Sequence, residues 1–86
     1  MSNPLKLIEG KKYRVKKSFI DYDKKVHEIG NIWTFVQTNF SAYYDGLTLH
    51  VIKENSSTET VYRFQWIKEE QAGIIENFDQ YVDLIE

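Results

Sequence analysis

The sequence contains no cysteine. Disulfides, thiolate zinc sites, iron–sulfur clusters and cysteine nucleophiles are therefore excluded, since each needs a cysteine sulfur. Small secreted domains commonly depend on disulfides, so we expect a reducing compartment. Nothing approaches the roughly 20 consecutive apolar residues of a membrane-spanning helix, and the N-terminus lacks the apolar run of a signal peptide. The sequence predicts a cytoplasmic protein with no membrane association.

Motifs that mark common catalytic and nucleotide-binding sites are also missing. The chain has no GxGxxG, P-loop, HExxH or GxSxG sequence. Its two histidines, His27 and His50, have no serine or cysteine nucleophile close by in the sequence, and we interpret both as surface or turn residues. An enzyme would instead require a pocket in which one of them is hydrogen-bonded to a carboxylate. We predict a non-enzymatic protein with no catalytic residue, cofactor or metal ion.

One polar segment, DYDKKVHE (residues 21–28), superficially resembles a loop that binds a hard cation. Lys24 and Lys25 occupy the stretch where a calcium loop needs a third oxygen ligand and a glycine. We therefore favour a hairpin loop in which Asp21 or Asp23 accepts a hydrogen bond from its own turn.

Composition indicates a compact domain with an aromatic core. The chain has 86 residues, of which 42% are apolar and 15% aromatic. Folding of a chain this short buries somewhat more than about 60% of the extended surface, so large rings contribute a great deal of the core. We expect residues 1–86 to form one domain.

Four segments alternate between apolar and polar residues with the period of two that indicates a β-strand. They are residues 11–19, 31–38, 47–54 and 60–67. In the first, Tyr13, Val15 and Phe19 point to the same side. From about residue 69 the period changes, since Ile75, Phe78, Val82 and Ile85 recur at spacings of three and four. This spacing predicts an amphipathic helix over about 69–84.

Strands followed by a helix indicate an α+β protein. Four to five short strands with a long first connection predict a small, strongly bent antiparallel sheet or an SH3-like barrel. The single C-terminal amphipathic helix would cover one sheet face or an open barrel mouth.

The stretch NFSAYYDGLTL (residues 39–49) leaves two alternatives for the second connection. Small and polar residues interrupt the strand pattern, which predicts that the second strand ends near Thr38. Residues 39–46 then form a wide loop with Tyr43 or Tyr44 at its rim. The alternative is a tight two-residue hairpin at the Asp-Gly pair.

The excess of aromatic residues without a catalytic motif favours a small binding or interaction domain with a protein or peptide partner. The predicted surface comprises Tyr22, Tyr43, Tyr44, Trp33 and Trp66. The alternative for each tryptophan is a place in the core. The sequence does not indicate the oligomeric state.

Charge is distributed unevenly along the chain. Residues 1–25 carry eight basic and three acidic side chains, whereas residues 69–86 carry six acidic and no basic ones. We expect the two ends to pack together and partly neutralise each other. The alternative is an anion-binding face for nucleic acid formed by Lys12, Arg14 and Lys16.

The order of several short patterns resembles a small family of bacterial domains of unknown function. The patterns are YRVKKSFIDYD, HEIGNIWTFV, YYDGLTLHV and YRFQWIKEEQAGIIENFDQY, which together span residues 13–81. Members of that family have no assigned activity, so the resemblance implies a single-domain bacterial protein and no catalytic residue. Within these patterns, we expect Gly30 to let the loop re-enter the second strand and Gln71 to satisfy a buried backbone group.

Overall fold

The computed structural model describes residues 5–41, 46–66 and 69–86, without the side chains of residues 69 and 70. Seven strands, one α-helix and one 3-10 helix lie in these ranges. They are β1 (Lys12–Val15), β2 (Phe19–Ile20), β3 (Val26–His27), β4 (Ile32–Ser41), β5 (Gly46–Lys53), β6 (Glu59–Gln65), α1 (Glu69–Glu76), the 3-10 helix (Phe78–Gln80) and β7 (Val82–Leu84).

Five strands form one antiparallel sheet in the order β6-β5-β4-β1-β7, and β2 and β3 form a separate two-stranded hairpin. Within the described ranges β6 and β7 are the two edges and do not pair with each other. The sheet is therefore open. The predicted antiparallel sheet is confirmed, whereas the alternative of an SH3-like barrel is not what the chain forms.

The first predicted strand is wrong in its length, because β1 ends at Val15 and β2 begins only at Phe19. The backbone N–H groups of Lys16 and Lys17 both donate to the carbonyl of Tyr81, at 2.8 and 3.2 Å. These two hydrogen bonds to one carbonyl replace the regular pairing between strands, and the chain leaves the sheet at this point. The alternation of residue types continues across the break because Phe19 also points into the core.

The predicted helix over 69–84 is also wrong in its length. Helix α1 ends at Glu76, and residues 82–84 form β7, which pairs with β1 through Val15↔Val82 and Tyr13↔Leu84. Ile75, Phe78 and Val82 are all buried. Their spacing thus arises from core positions on a helix, a turn and a strand in succession, which a search for helical periodicity cannot separate.

Strand β4 continues past Thr38, so the wide loop predicted for residues 39–46 is wrong. The pairing with β5 runs through Phe40↔Leu47 to Ser41↔Gly46, after a register shift between Phe35 and Gln37. Such a β-bulge adds one residue to a strand and increases its twist. The tight-hairpin alternative and the positions of Tyr43 and Tyr44 depend on residues 42–45, which lie outside the described residues.

The core lies on one face of the five-stranded sheet. Leu47, Leu49 and Val51 of the interior strand β5 are fully buried. The rings of Phe64 and Phe78 meet edge to face at 6.4 Å, which joins the sheet to the C-terminal segment. The β2–β3 hairpin lies on the same side, since Phe19 contacts both of these rings.

Candidate functional site

The β2–β3 hairpin contains a turn that Asp21 holds closed. The Oδ1 atom of Asp21 accepts a hydrogen bond from the Lys25 backbone N–H at 3.0 Å. The Asp21 carbonyl accepts another from the N–H of Lys24, whose φ is +66°. The local hydrogen bond predicted for Asp21 is confirmed. Asp23 instead accepts a hydrogen bond from Arg63 Nε on β6 at 3.0 Å, which anchors the turn to the edge of the sheet.

The same carboxylate is paired with His27. Its Oδ2 atom lies 2.9 Å from His27 Nε2, and the two residues are only 2% and 4% exposed. The prediction of a surface or turn role for His27 is therefore wrong. The pairing Phe19↔His27 places the imidazole flat against the Phe19 ring, with centroids 4.4 Å apart. The face of the hairpin that carries Phe19 is directed at the core.

Burial lowers the pKa of His27 below its ordinary value, because a charged imidazole loses water contact there. The hydrogen bond and the charge of Asp21 act in the opposite direction but are outweighed, and the charges of Lys53 and Lys25 lower the pKa further. His27 is therefore neutral at pH 7. A neutral ring that donates its Nε2 proton to Asp21 keeps a lone pair on Nδ1.

His27 lines a pocket of about 580 Å³ between the hairpin and the ends of β4, β5 and β6, which we call the histidine pocket. Its lining residues are Lys25, Val26, His27, Gly30, Asn31, Ile32, Trp33, Lys53, Glu54, Asn55 and Tyr62. The indole Nε1 of Trp33 is buried and has no hydrogen-bond partner among the described residues. Gly30 has a φ of +98°, which confirms that this turn needs a glycine.

A second pocket, of about 1030 Å³, lies on the other side of the hairpin and is called here the glutamine pocket. Its lining residues are Lys17, Ser18, Phe19, Ile20, Asp21, Tyr22, Lys24, Gln71, Ile74 and Tyr81. Gln71 Nε2 donates to the Ile20 carbonyl at 2.9 Å, which confirms its predicted role. Asp21 lines this pocket and His27 lines the other, and the two side chains are hydrogen-bonded to each other.

Of the five aromatic residues predicted as one surface, the structure describes Tyr22, Trp33 and Trp66. Trp33 is 2% exposed and belongs to the core, so almost none of its side chain is available for contact with a protein partner. Tyr22 is 42% exposed, and Trp66 is half-buried against Phe40. Tyr43 and Tyr44 lie outside the described residues.

The basic and acidic ends of the chain do pack together, as expected. Lys16 Nζ lies 2.9 Å from Asp83 Oδ1, and Lys12 Nζ lies 3.9 Å from Glu86 Oε2. Arg14 is paired in register with Asp83 on β7. All three cations of the predicted anion-binding face thus have acidic neighbours, two of them in ion pairs, which reduces the charge available to a nucleic acid.

The other histidine lines neither pocket. His50 Nε2 lies 3.1 Å from the Thr48 hydroxyl, and its Nδ1 lies 3.4 Å from Glu59 Oε1 on the opposite face of the sheet. Among the described residues, no group of three or more histidine, aspartate or glutamate side chains is arranged to hold a metal ion.

The Asp21–His27 pair was missed because sequence reasoning treated residues 21–28 as a solvated loop. One signal was available. Phe19 and Asp21 are two positions apart, so an extended segment directs both to the same side, and Phe19 is a clear core residue. The partner position on β3 depends on where the turn lies, which residue types alone leave open.

The comparisons with known proteins agree with this architecture. A solved structure described as "Integron cassette protein VCH_CASS4", from the mobile metagenome of Vibrio cholerae, superimposes with a TM-score of 0.88. It shares 29% sequence identity, and the match covers 99% of this chain and 92% of that one. No functionally curated protein matches the chain. Within the described ranges, no helix has the length and apolar character needed to cross a membrane. A family profile matches residues 4–86, and the chain therefore belongs to the family described as "Domain of unknown function (DUF3601)".

Proposed function

We propose that this chain is a non-enzymatic binding domain of the bacterial cytoplasm that holds a small anionic molecule in the histidine pocket. The observation that carries the proposal is the buried hydrogen bond between Asp21 and His27 at the wall of that pocket. A buried carboxylate costs free energy unless it is hydrogen-bonded, and here both of its oxygens have partners. The pair therefore supports a fixed orientation of His27.

The charge of the lining supports an anion rather than a cation as the ligand. Lys25 and Lys53 both lie close enough to His27 to lower its pKa, whereas Glu54 is the acidic residue of the described lining. Cationic side chains thus outnumber anionic ones in the described lining, which is typical of a site for a carboxylate, phosphate or sulfate group.

Binding without chemistry is favoured over catalysis by the residue types of the lining. An aspartate–histidine pair beside a pocket is one part of the arrangement that an enzyme requires. The described lining, however, contains no serine or threonine hydroxyl that His27 could activate. The relative from Vibrio cholerae supports a bacterial source for the chain.

Titration of the ¹⁵N-labelled protein with inorganic phosphate, sulfate and acetate at low ionic strength tests the proposal. We expect the signals of the Trp33 indole N–H and the His27 ring to shift in a saturable way with at least one of these anions. The Lys53→Met variant should weaken the effect, and Lys11→Met, which removes an exposed lysine outside the pocket lining, should not. The absence of a saturable shift with all three anions would overturn the proposal.

Nucleic-acid binding through Lys12, Arg14 and Lys16 stays a prediction, as does a protein or peptide partner for Tyr22 and Trp66. The contacts of Lys12 and Lys16 with acidic residues give the first of these less support than the histidine pocket has.

A further inference from the structure

We infer that the histidine pocket selects an oxyanion that still carries a proton, as a phosphate monoester does, and that His27 Nδ1 accepts this proton in a hydrogen bond. The inference rests on the proposed function and names the ligand class of the same site. It follows from the contacts that the imidazole already makes with Phe19, Asp21 and Tyr62.

One face and one nitrogen of the His27 ring have assigned protein partners. Phe19 stacks on one face with an interplanar angle of 5°, and the Tyr62 ring packs against the imidazole at 77° with centroids 4.3 Å apart. Nε2 is committed to Asp21. His27 lines the pocket, and Nδ1 is the ring nitrogen that is left for a contact there.

No described residue hydrogen-bonds to Nδ1, and in the neutral ring this atom is an acceptor. The charged and titratable groups around it are Asp21 and Lys25 of the hairpin, Lys53 and Glu54 at the end of β5, and Tyr62 of β6. A ligand at this position needs a donor for Nδ1, and its other oxygens need to accept from the two lysines.

Common anions differ in whether they can meet both demands. A carboxylate has lost its single proton at neutral pH. A sulfate monoester has a tetrahedral shape and one negative charge but no proton. The second proton of a phosphate monoester has a pKa of about 6, so near that pH the group retains one O–H beside several acceptor oxygens. An acceptor that faces an unprotonated oxyanion is left unpaired, which weakens binding.

Methyl phosphate and methyl sulfate form a matched pair of probes for the unmodified full chain. We measure both dissociation constants by isothermal titration calorimetry and by NMR shifts at pH 6 and constant ionic strength. We expect methyl phosphate to bind at least about tenfold more tightly, the size of effect that one unpaired buried group produces. Equal affinities would overturn the inference while leaving anion binding intact, whereas no binding of either probe would overturn both.

The Asp21→Asn variant provides a second test, because it reverses the role of Nδ1. The introduced amide can keep its oxygen on the Lys25 N–H only by turning its NH₂ group toward His27. Nε2 must then accept, and the ring proton moves to Nδ1, which becomes a donor. We expect the preference for methyl phosphate to disappear and methyl sulfate to bind at least as well as to the original protein.

The Asp23→Asn variant is the matched control, since it removes the same charge from the same turn without touching His27. It should keep the preference for methyl phosphate. If Asp21→Asn retains the preference in full while its amide spectrum shows a native fold, His27 Nδ1 is not the group that reads the proton, and the inference fails. If that variant does not fold, the pair of probes on the unmodified chain decides the question.

Discussion

The Oδ2 atom of Asp21 lies 2.9 Å from the Nε2 atom of His27, and both side chains are almost fully shielded from solvent. The Oδ1 atom of the same carboxylate closes the hairpin turn through the Lys25 N–H. Asp21 therefore links the local structure of the β2–β3 hairpin to the orientation of the one histidine that lines a pocket. The same carboxylate thus stabilises the hairpin and, in the proposed function, orients the histidine that contacts the ligand.

Removal of this carboxylate should destabilise the protein strongly. Asp21→Ala leaves the Lys25 N–H and the His27 N–H without their acceptor, and we expect a loss of about 3 kcal/mol in the free energy of unfolding. Asp23→Ala, which removes an exposed carboxylate from the same turn, should cost much less. Urea denaturation followed by tryptophan fluorescence measures both. Equal losses for the two variants would contradict the role given to Asp21.

Stability should fall as the pH drops below about 6.5. The pKa of His27 is lowered in the folded protein, so between the ordinary value of about 6.5 and the folded value the unfolded chain binds more protons. The stability due to the neutral ring is therefore complete above about pH 6.5 and is lost as the pH falls through the folded pKa. One such group gives a slope of at most about 1.4 kcal/mol per pH unit.

NMR titration of the two histidine rings checks this assignment directly. The His27 signals should change at lower pH than those of a histidine in a short unfolded peptide of the same sequence. A His27 midpoint at or above the peptide value would show that the Asp21 interaction outweighs burial, and the predicted pH dependence would be wrong.

The hydrogen bond from Gln71 to the Ile20 carbonyl should fasten helix α1 to the hairpin. Gln71→Leu keeps a side chain of similar size but leaves the partly buried carbonyl of Ile20 without its donor, which should cost about 1–2 kcal/mol. Gln80→Leu is the matched control, because Gln80 is exposed and its side chain makes no described hydrogen bond. Thermal unfolding measures both variants. A loss for Gln80→Leu as large as for Gln71→Leu would contradict the assignment.

The acidic residues beside β1 should suppress binding of nucleic acid. We expect the unmodified protein to elute early from an oligonucleotide column at low salt. Replacement of both Asp83 and Glu86 by their amides frees Lys12 and Lys16 and should increase retention, with a strong dependence on salt concentration. Glu9→Gln together with Asp79→Asn changes the net charge equally at exposed residues outside both pockets and serves as the control. Tight, salt-sensitive retention of the unmodified protein would support the nucleic-acid alternative instead.

The local alternation of apolar and polar residues was sufficient to predict three strands of the central sheet. The segments predicted at 31–38, 47–54 and 60–67 correspond to β4, β5 and β6 with end shifts of one to three residues. These strands are neighbours in both sequence and space, and each has a core face that alternation reveals. The roles of Gly30 and Gln71 also followed from residue types near predicted turns and helix ends.

The misassigned elements share a different cause. The break after Val15, the end of α1 at Glu76 and the strand β7 all depend on the meeting of β1 with the C-terminal segment. Residue spacing indicates which side chains are buried. Three buried residues at spacings of three and four fit one continuous helix, but they fit equally well a short helix followed by a 3-10 helix and a strand. Only the distant partner β1 distinguishes the two.

The candidate site follows the same division. The amino-acid sequence by itself determined a chain without cysteine, a central antiparallel sheet, an aromatic core and two oppositely charged ends that come together. Tertiary structure alone decided that Asp21 and His27 are buried as a pair and that Trp33 and Lys53 share a pocket with that histidine. The physical reason is that alternation and charge act through near neighbours in the chain. A pocket is made by the packing of a hairpin against the ends of strands that are far away in sequence.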